Sequence, residues 1–338
     1  MGAKRAAAGN GRERKRLITL GKVSDRGGSG QVRTAVVLPL VWVVAALAAC
    51  GGEPAPPLPQ SLTDHLRPAS VSADRVSEGV WYRAIRSPVG PWAIHLLEVD
   101  LGRCELGFSV VPEERSGWGS LTRVTEMLQG ESDPVLAAVN GDFFTLEGRP
   151  IGPEIAEGRL RLRSPRPVFA WRAGADPWIG RPEFDGDSVA EMGWSLRLSE
   201  PDGATEAIGG FPLLLAEGEK VGDLEVADRP DFARERHPRT AVGLDLEAQR
   251  LWLVVVDGRQ EGWSAGMSLP ELADLMDALG ARDALNLDGG GSSVMVIDGR
   301  RVSRPSDAGG ERAVVNALAL KEDPRFCALP PGSARQVP

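Results

Sequence analysis

The stretch Ala284-Leu-Asn-Leu-Asp-Gly-Gly-Gly-Ser-Ser-Val-Met-Val-Ile-Asp-Gly-Arg-Arg-Val302 is the part of this 338-residue chain whose reading decides the rest. Leu285 and Leu287 alternate with Asn286 and Asp288, and Val294, Val296 and Ile297 resume an apolar run after the glycines, which predicts strand, loop, strand. Asp288 then stands at a strand end, facing the loop. Gly289, Gly290 and Gly291 permit positive φ and close backbone approach, so their N–H groups are candidates to meet an anion. Ser292 and Ser293 add hydroxyl donors, and the set suits a ligand with phosphate and sugar oxygens. The alternative is a hairpin with an irregular turn, Asp and Gly being ordinary turn formers.

The same break from apolar run to polar loop recurs upstream and downstream. The strand predicted over residues 135–139 ends in Asn140-Gly-Asp-Phe-Phe144, where two adjacent aromatics fit a pocket wall, although Asn-Gly is also a strong hairpin signal. Arg239 opens a predicted strand over residues 241–246, and its hairpin partner over residues 250–256 ends in Asp257-Gly-Arg259. Ser268-Leu-Pro-Glu271 is a capping box, followed by Leu272, Leu275, Met276 and Leu279 on one helical face until Gly280, which predicts a structural helix. A closing strand over residues 313–320 carries Asn316 in an apolar row, where it either braces a loop or touches ligand. Short strands are predicted over residues 80–85, 92–101 and 104–111, a short helix over residues 120–129, and an antiparallel, β-rich middle over residues 150–221.

The net charge is −8, yet residues 1–49 hold nine Lys/Arg against two Asp/Glu, a charge of +7 that leaves −15 on residues 50–338. An acidic body argues against nucleic acid as a partner. The apolar run over residues 35–49 follows basic sequence and closes with Leu47-Ala-Ala-Cys50, the order of a signal peptide ending in a lipobox. The expectation is an exported lipoprotein of the cell membrane or outer membrane, anchored through Cys50, with an uncleaved anchor helix as the alternative. The domain boundaries that follow are 1–49 signal peptide, 50–78 disordered Pro-rich tether, 79–321 folded domain and 322–338 tail. Cys104 and Cys327 lie near the two ends of the folded body, either joined as a disulfide in an oxidising compartment or buried unpaired.

Several chemistries are excluded or weakened. Neither Gly-x-x-x-x-Gly-Lys-Ser/Thr nor Gly-x-Gly-x-x-Gly opening a helix occurs, so no nucleotide partner is expected. Gly262-Trp-Ser264-Ala-Gly266 matches a nucleophile elbow in spelling, but the last histidine, His237, precedes it, which is the wrong order for an α/β-hydrolase triad. The scattered His65, His95 and His237 do not form a zinc motif.

Asn140-Gly-Asp-Phe-Phe144, Arg239-Thr-Ala-Val-Gly243, Val256-Asp-Gly-Arg259, Gly266-Met-Ser-Leu-Pro-Glu-Leu-Ala273, Ala284 to Ser293, and Pro305-Ser-Asp with Gly310-Glu-Arg312, in that order, resemble the phosphodiester glycosidase family. The resemblance covers roughly residues 79–321 and implies hydrolysis of a sugar–O–phosphate bond. With the strand-rich pattern it gives the expected fold: a mixed α/β (α+β), β-rich single domain with mixed sheets and few helices. This chain has Arg304 where the family commonly has Asn, which sets that position apart.

Cleaving C1–O of a sugar 1-phosphodiester passes through an oxocarbenium-like state that a carboxylate can stabilise, and the leaving phosphate monoester is a weak base. Asp288 and Asp142 are therefore the catalytic candidates, with Asp257 third. Arg239 and Arg312 are candidates for the phosphate. Asn140, Gly289, Gly290, Gly291, Ser292, Ser293 and Asn316 complete the expected substrate-binding set. No cofactor is expected, a divalent metal being left open. Two other readings stand beside this one: a non-catalytic glycan-binding envelope lipoprotein, and a metal-dependent phosphodiesterase cutting P–O.

Overall fold

The strand Arg250–Val256 is buried at every position from Leu251 onward, which requires cover on both of its faces. In the computed structural model that cover is provided by a layer of helices on one side and by further sheets on the other. The residues described are 54–113, 120–185, 188–191, 194–196, 204–222, 224, 226 and 229–328. The chain divides into Met1–Gly52 and Glu53–Pro338. The expected signal peptide and lipobox, with Cys50, lie outside the described residues.

The central sheet has eight strands in the order Ser70–Ser77, Val80–Ser87, Trp92–Asp100, Arg250–Val256, Arg239–Asp245, Asp283–Asn286, Leu213–Ala216 and Glu219–Lys220. One face, including Leu97, Leu253, Val242 and Leu285, packs on Phe108, Val139, Met295 and Leu318 of a five-stranded sheet. That second sheet runs Arg300–Arg301, Met295–Ile297, Val135–Asn140, Asn316–Glu322, Leu106–Pro112. Phe169 and Ile208, from another five-stranded sheet, close the same core. The opposite face, including Ile94, Val254 and Ala284, packs on Leu272, Leu275 and Met276 of the helix Leu269–Leu279. That helix begins and ends as its sequence dictates: Ser268 and Glu271 form both halves of the capping box, and Gly280 closes it at φ 95° in the left-handed region.

The domain is β-rich with few helices, as its strand-dense sequence requires. In one respect the expectation is corrected: the strand pairings among the described residues are antiparallel, not mixed. The tether is corrected too. Gln60–Leu66 is a helix, because Leu62 and Leu66, one turn apart, are fully buried against the helix Leu269–Leu279, to which the Ser61 hydroxyl donates at the Ala278 carbonyl. Ser70–Ser77 is an edge strand whose side chains are mostly exposed, so its polar composition hides a backbone pairing with Val80–Ser87. At the other end the closing strand runs Asn316–Glu322 and a 3₁₀ turn Pro324–Ala328 follows, so the fold continues past residue 321. Cys327 on that turn is joined to Cys104, with Cα atoms 4.9 Å apart. No helix among the described residues is long and apolar enough to cross a membrane.

The deciding stretch takes its place as a crossing between layers. Asp283–Asn286 pairs with Arg239–Asp245 in the central sheet, whereas Met295–Ile297 pairs with Val135–Asn140 in the second. Residues 287–294 are therefore no hairpin; they pass from one sheet to the other at the end where both partner strands carry polar residues.

Candidate active site

Asn140 is the last residue of its strand, is fully buried, and holds the crossing in place. Its side-chain amide donates to the Asp288 carbonyl at 2.6 Å, and its amide oxygen accepts from the Thr240 hydroxyl at 2.7 Å and the Val294 N–H at 3.1 Å. The Asp288 N–H in turn donates to the Gly141 carbonyl at 2.9 Å. Asn140, fully buried, thus spends its amide oxygen and one amide hydrogen on protein; its expected contact with substrate is corrected to a brace between two strand ends.

Asp142, two residues on, is 1% exposed. Its carboxylate accepts from the N–H groups of Phe143 at 2.8 Å, Ile151 at 3.1 Å and Gly152. The turn that returns to Ile151 is closed by the Ile151 N–H on the Phe143 carbonyl. A Cβ at Gly152 would meet Gly209 Cα at 2.6 Å and Asp142 Oδ2 at 2.9 Å, which explains glycine there. Asn316 Oδ1 accepts the Asp142 N–H at 2.8 Å, and its Nδ2 donates to Glu154, which also takes Arg161. Of the two roles open to Asn316, the structure assigns the brace.

Burial drives the Asp142 pKa up to about 7; the Gly152 N–H, Arg166 and the Phe143 N–H oppose it, and the Asp288 charge adds to it. Asp288 keeps part of its surface open, and burial raises it to about 6 against the pull of the Ser292 hydroxyl, the Gly289 N–H and Arg312. Two carboxyls close enough to feel each other, both raised toward neutrality, mark a site able to carry acid–base or nucleophilic chemistry.

Residues 133–321, more than half of the chain, match the family model described as phosphodiester glycosidase. The chain belongs to that family. Among curated proteins it is 35% identical over 212 residues to an SPbeta prophage-derived uncharacterized protein of Bacillus subtilis, covering 61% of this chain and 31% of that one. It is 42% identical over 76 residues to mouse N-acetylglucosamine-1-phosphodiester α-N-acetylglucosaminidase, covering 22% of this chain and 14% of the mouse protein. The chain thus spans less than a third of the length of these relatives. Two solved structures show the fold: a hypothetical protein from Synechocystis has a TM-score of 0.60 at 16% identity, over 75% of this chain and 64% of that chain. The catalytic domain of the zebrafish N-acetylglucosamine-1-phosphodiester α-N-acetylglucosaminidase has a TM-score of 0.56 at 24% identity, over 75% of this chain and 82% of that one.

Within this phosphodiester glycosidase domain Gly289 and Gly290 play a different part from an anion nest. The N–H of Gly289 donates to Asp288 Oδ1, that of Gly290 to the Pro238 carbonyl, and those of Ser292 and Ser293 to the Gly289 and Gly290 carbonyls. Those donors are spent. The glycines are there for closeness: a Cβ on Gly289 would meet the Pro238 carbonyl at 2.9 Å, and one on Gly291 would collide with Arg312 and Asp307. Arg312 lies on this bed, paired through two nitrogens with Asp307 at 2.8 and 3.1 Å. The Ser293 hydroxyl is buried and has no hydrogen-bond partner among the described residues.

Two other expectations are corrected. Arg239 is 1% exposed and donates to the Met267, Phe232 and Glu235 carbonyls, which leaves it tying loops behind the site instead of meeting phosphate. Burial, with the Arg259 charge adding to it and Glu271 opposing it, brings its pKa down to about 9. Asp257 is 2% exposed and already filled by the Arg304 N–H at 2.9 Å, the Trp263 indole at 2.8 Å and His95 at 3.2 Å. His95 continues to the Tyr82 hydroxyl at 2.8 Å, so Asp257 anchors an internal chain and the loop that leads to Arg312. Ser264 is likewise structural, donating to the Asp257 carbonyl and accepting from Ala93.

What the motifs did not reach is Arg166, whose charge acts on Asp142. Its guanidinium lies over the Phe143 and Phe211 rings, both of which pack on Phe232. Arg259, just past the end of its strand, lies with its guanidinium over Gly290 and donates to His237 Nδ1 at 3.1 Å. As for metal ligands, the three-donor cluster among the described residues is Cys104, Glu105 and Cys327, two of which are the disulfide.

Proposed function

We propose that this chain is a hydrolase that cleaves the C1–O bond of a sugar 1-phosphodiester, the sugar being an α-linked amino sugar of the N-acetylglucosamine kind. The observation that carries the reading is the Asp288–Asp142 pair at the crossing between the sheets, in a domain of the phosphodiester glycosidase family. The relatives named for this activity add support, through alignments that cover only short parts of them. Asp288, the more open of the two, is the carboxylate that faces the anomeric carbon and stabilises or captures the oxocarbenium-like state. Asp142 stands beside it with three N–H donors fixing its orientation, and supplies a proton or a charge according to pH. The phosphate monoester leaves as a weak base, so acid assistance contributes less here than charge stabilisation.

The reading extends to an exported envelope protein. Its support is the order of basic, apolar and small residues before Cys50, together with the Cys104–Cys327 bond, of a kind that persists in oxidising compartments. Intact mass of the protein from its native host tests the lipid: a free N-terminus upstream of Cys50 would refute it.

The reaction is tested in ¹⁸O-labelled water with mass analysis of both products. Label in the sugar is the expected result. Label in the phosphate would overturn the C–O assignment in favour of a phosphodiesterase, and no turnover across a broad panel of sugar phosphodiesters, with Asp288→Asn changing glycan binding alone, would favour a binding protein.

A further inference from the structure

Three phenylalanines from separate segments meet beside Asp142: Phe143 next to it in sequence, Phe211 just ahead of the strand Leu213–Ala216, and Phe232 on the short helix Pro230–Arg234. Phe143 and Phe232 pack edge to face at 5.8 Å, and Phe211 and Phe232 stack at 6.5 Å. Across them lies Arg166, its guanidinium carbon 5.2 Å from the Phe211 ring centre and 5.9 Å from that of Phe143. That is cation–π range, and two rings under one guanidinium fix its plane.

Three other arginines of the site are engaged. Arg239 is spent on three backbone carbonyls, Arg312 is neutralised by Asp307, and Arg259 donates to His237. Arg166 differs. It is half-buried, and among the described residues no carboxylate or other hydrogen-bond acceptor takes its side-chain N–H groups. Half-burial of a cation that no carboxylate bonds directly is costly; the Asp142 charge offsets part of that through space, and Arg229 adds a second positive charge in its neighbourhood. Such an arrangement is relieved by an anion from outside.

We propose that Arg166, held on the Phe143 and Phe211 rings, is the group that binds the substrate's phosphate and sets the scissile oxygen against the Asp142–Asp288 pair. The catalytic half of this assignment rests on the glycosidase reading; the binding half does not. The planar fork matches two phosphate oxygens at once, which a lysine ammonium cannot do, and the rings beneath it keep water from screening the charge. In the reaction the C1–O bond breaks and its electron pair stays with the phosphate monoester. Water supplies hydroxyl to C1, and its remaining proton goes to the phosphate or to solvent. Arg166 holds the phosphate through that change and exchanges no atoms.

Titration calorimetry of the full chain with inorganic phosphate tests the binding, alongside turnover of a sugar 1-phosphodiester. Arg166→Gln is expected to weaken phosphate by about tenfold or more and to lower kcat/KM in parallel, with Arg166→Lys in between. Arg300→Gln, an exposed charge elsewhere, should match the wild type. In the wild type, phosphate should protect Arg166 from labelling by phenylglyoxal, a readout that stands even if Arg166→Gln does not fold. Wild-type phosphate affinity in a folded Arg166→Gln, or labelling of Arg166 indifferent to phosphate, would overturn the assignment. If phosphate binds through Arg166 but no diester is cleaved, the glycosidase reading falls and the phosphate site remains. If diesters are cleaved equally well by Arg166→Gln, the reverse holds.

Discussion

The side-chain amide of Asn140 donates to the main-chain carbonyl of Asp288 at 2.6 Å, tying the end of a second-sheet strand to the first residue of the glycine loop. Asn140→Ala removes that bond and strands the Thr240 hydroxyl and the Val294 N–H, both of which it serves. With partners left unsatisfied in a buried site the expected loss is about 2–4 kcal/mol of stability. Chemical denaturation should register it, and kcat should fall more than KM rises because Asp288 is no longer held. An unchanged midpoint would show that the clamp does not matter.

Asp288→Asn should lower kcat by at least about a hundredfold while the fold, followed by circular dichroism, is kept. In the wild type the rate should rise with pH through about 6, as the Asp288 carboxyl loses its proton. A flat profile between pH 5 and 7 would remove Asp288 from the chemistry.

The same residue makes a prediction about stability with an opposite pH trend. The Asp288 carboxyl is raised in the fold to about 6 from an ordinary value of 3.8, so the folded state holds the proton longer than the unfolded chain. Its contribution is most favourable below pH 4 and is lost as pH rises toward and through 6, a difference on the order of 3 kcal/mol. Asp288→Asn does not titrate, so the variant should gain on the wild type between pH 4 and 7 in denaturant melts. A wild type that keeps pace with the variant, or gains on it, as pH rises would contradict the burial argument.

Glu271 completes the cap of the helix Leu269–Leu279 by accepting the Ser268 N–H at 2.9 Å, and it also pairs with Arg236. Glu271→Gln can still cap but loses the ion pair, so melting should show a loss of about 1 kcal/mol with turnover nearly intact. Collapse of activity in a normally folded variant would mean that Glu271 reaches the chemistry.

Cys104 and Cys327 close a loop across 223 residues, joining the start of one edge strand to the last turn of the fold. Reduction, or Cys104→Ser, should cost about 2–4 kcal/mol in denaturant melts by loosening the constraint on the unfolded chain. An unchanged melt after verified reduction would count against that constraint.

Some of this was readable from residue order. The helix with its cap and its glycine stop, the two strands around Asp288 and the hairpin between Arg239 and Val256 follow from local periodicity and capping chemistry, which act within a few residues. Roles at strand ends were not readable in the same way. Asn140, Asn316, Arg239 and Asp257 are all polar groups where an apolar run stops, and such a group can turn outward to a ligand or inward to satisfy buried backbone. Only the folded neighbours decide, and here all four turn inward. Arg166 was invisible for another reason: it lies in a stretch with Arg161, Arg163 and Arg172, where composition cannot single out one charge, and the phenylalanines that distinguish it come from residues 143 and 211. Gln60–Leu66 was hidden by prolines before it and by a hydrophobic face of only two leucines.

The crossing of the glycine loop from one sheet to the other has a mechanical side. Asp142 follows a strand of the second sheet and Asp288 follows a strand of the central one, so the gap between the carboxyls is a gap between layers. Side chains such as Leu285, Met295 and Val139, packed between those layers, act as spacers. Changing their volume would slide or tilt one sheet over the other and re-gauge the site from below, without touching a residue that meets substrate. Mutational drift in the interior can therefore retune the reaction as directly as drift in the loops.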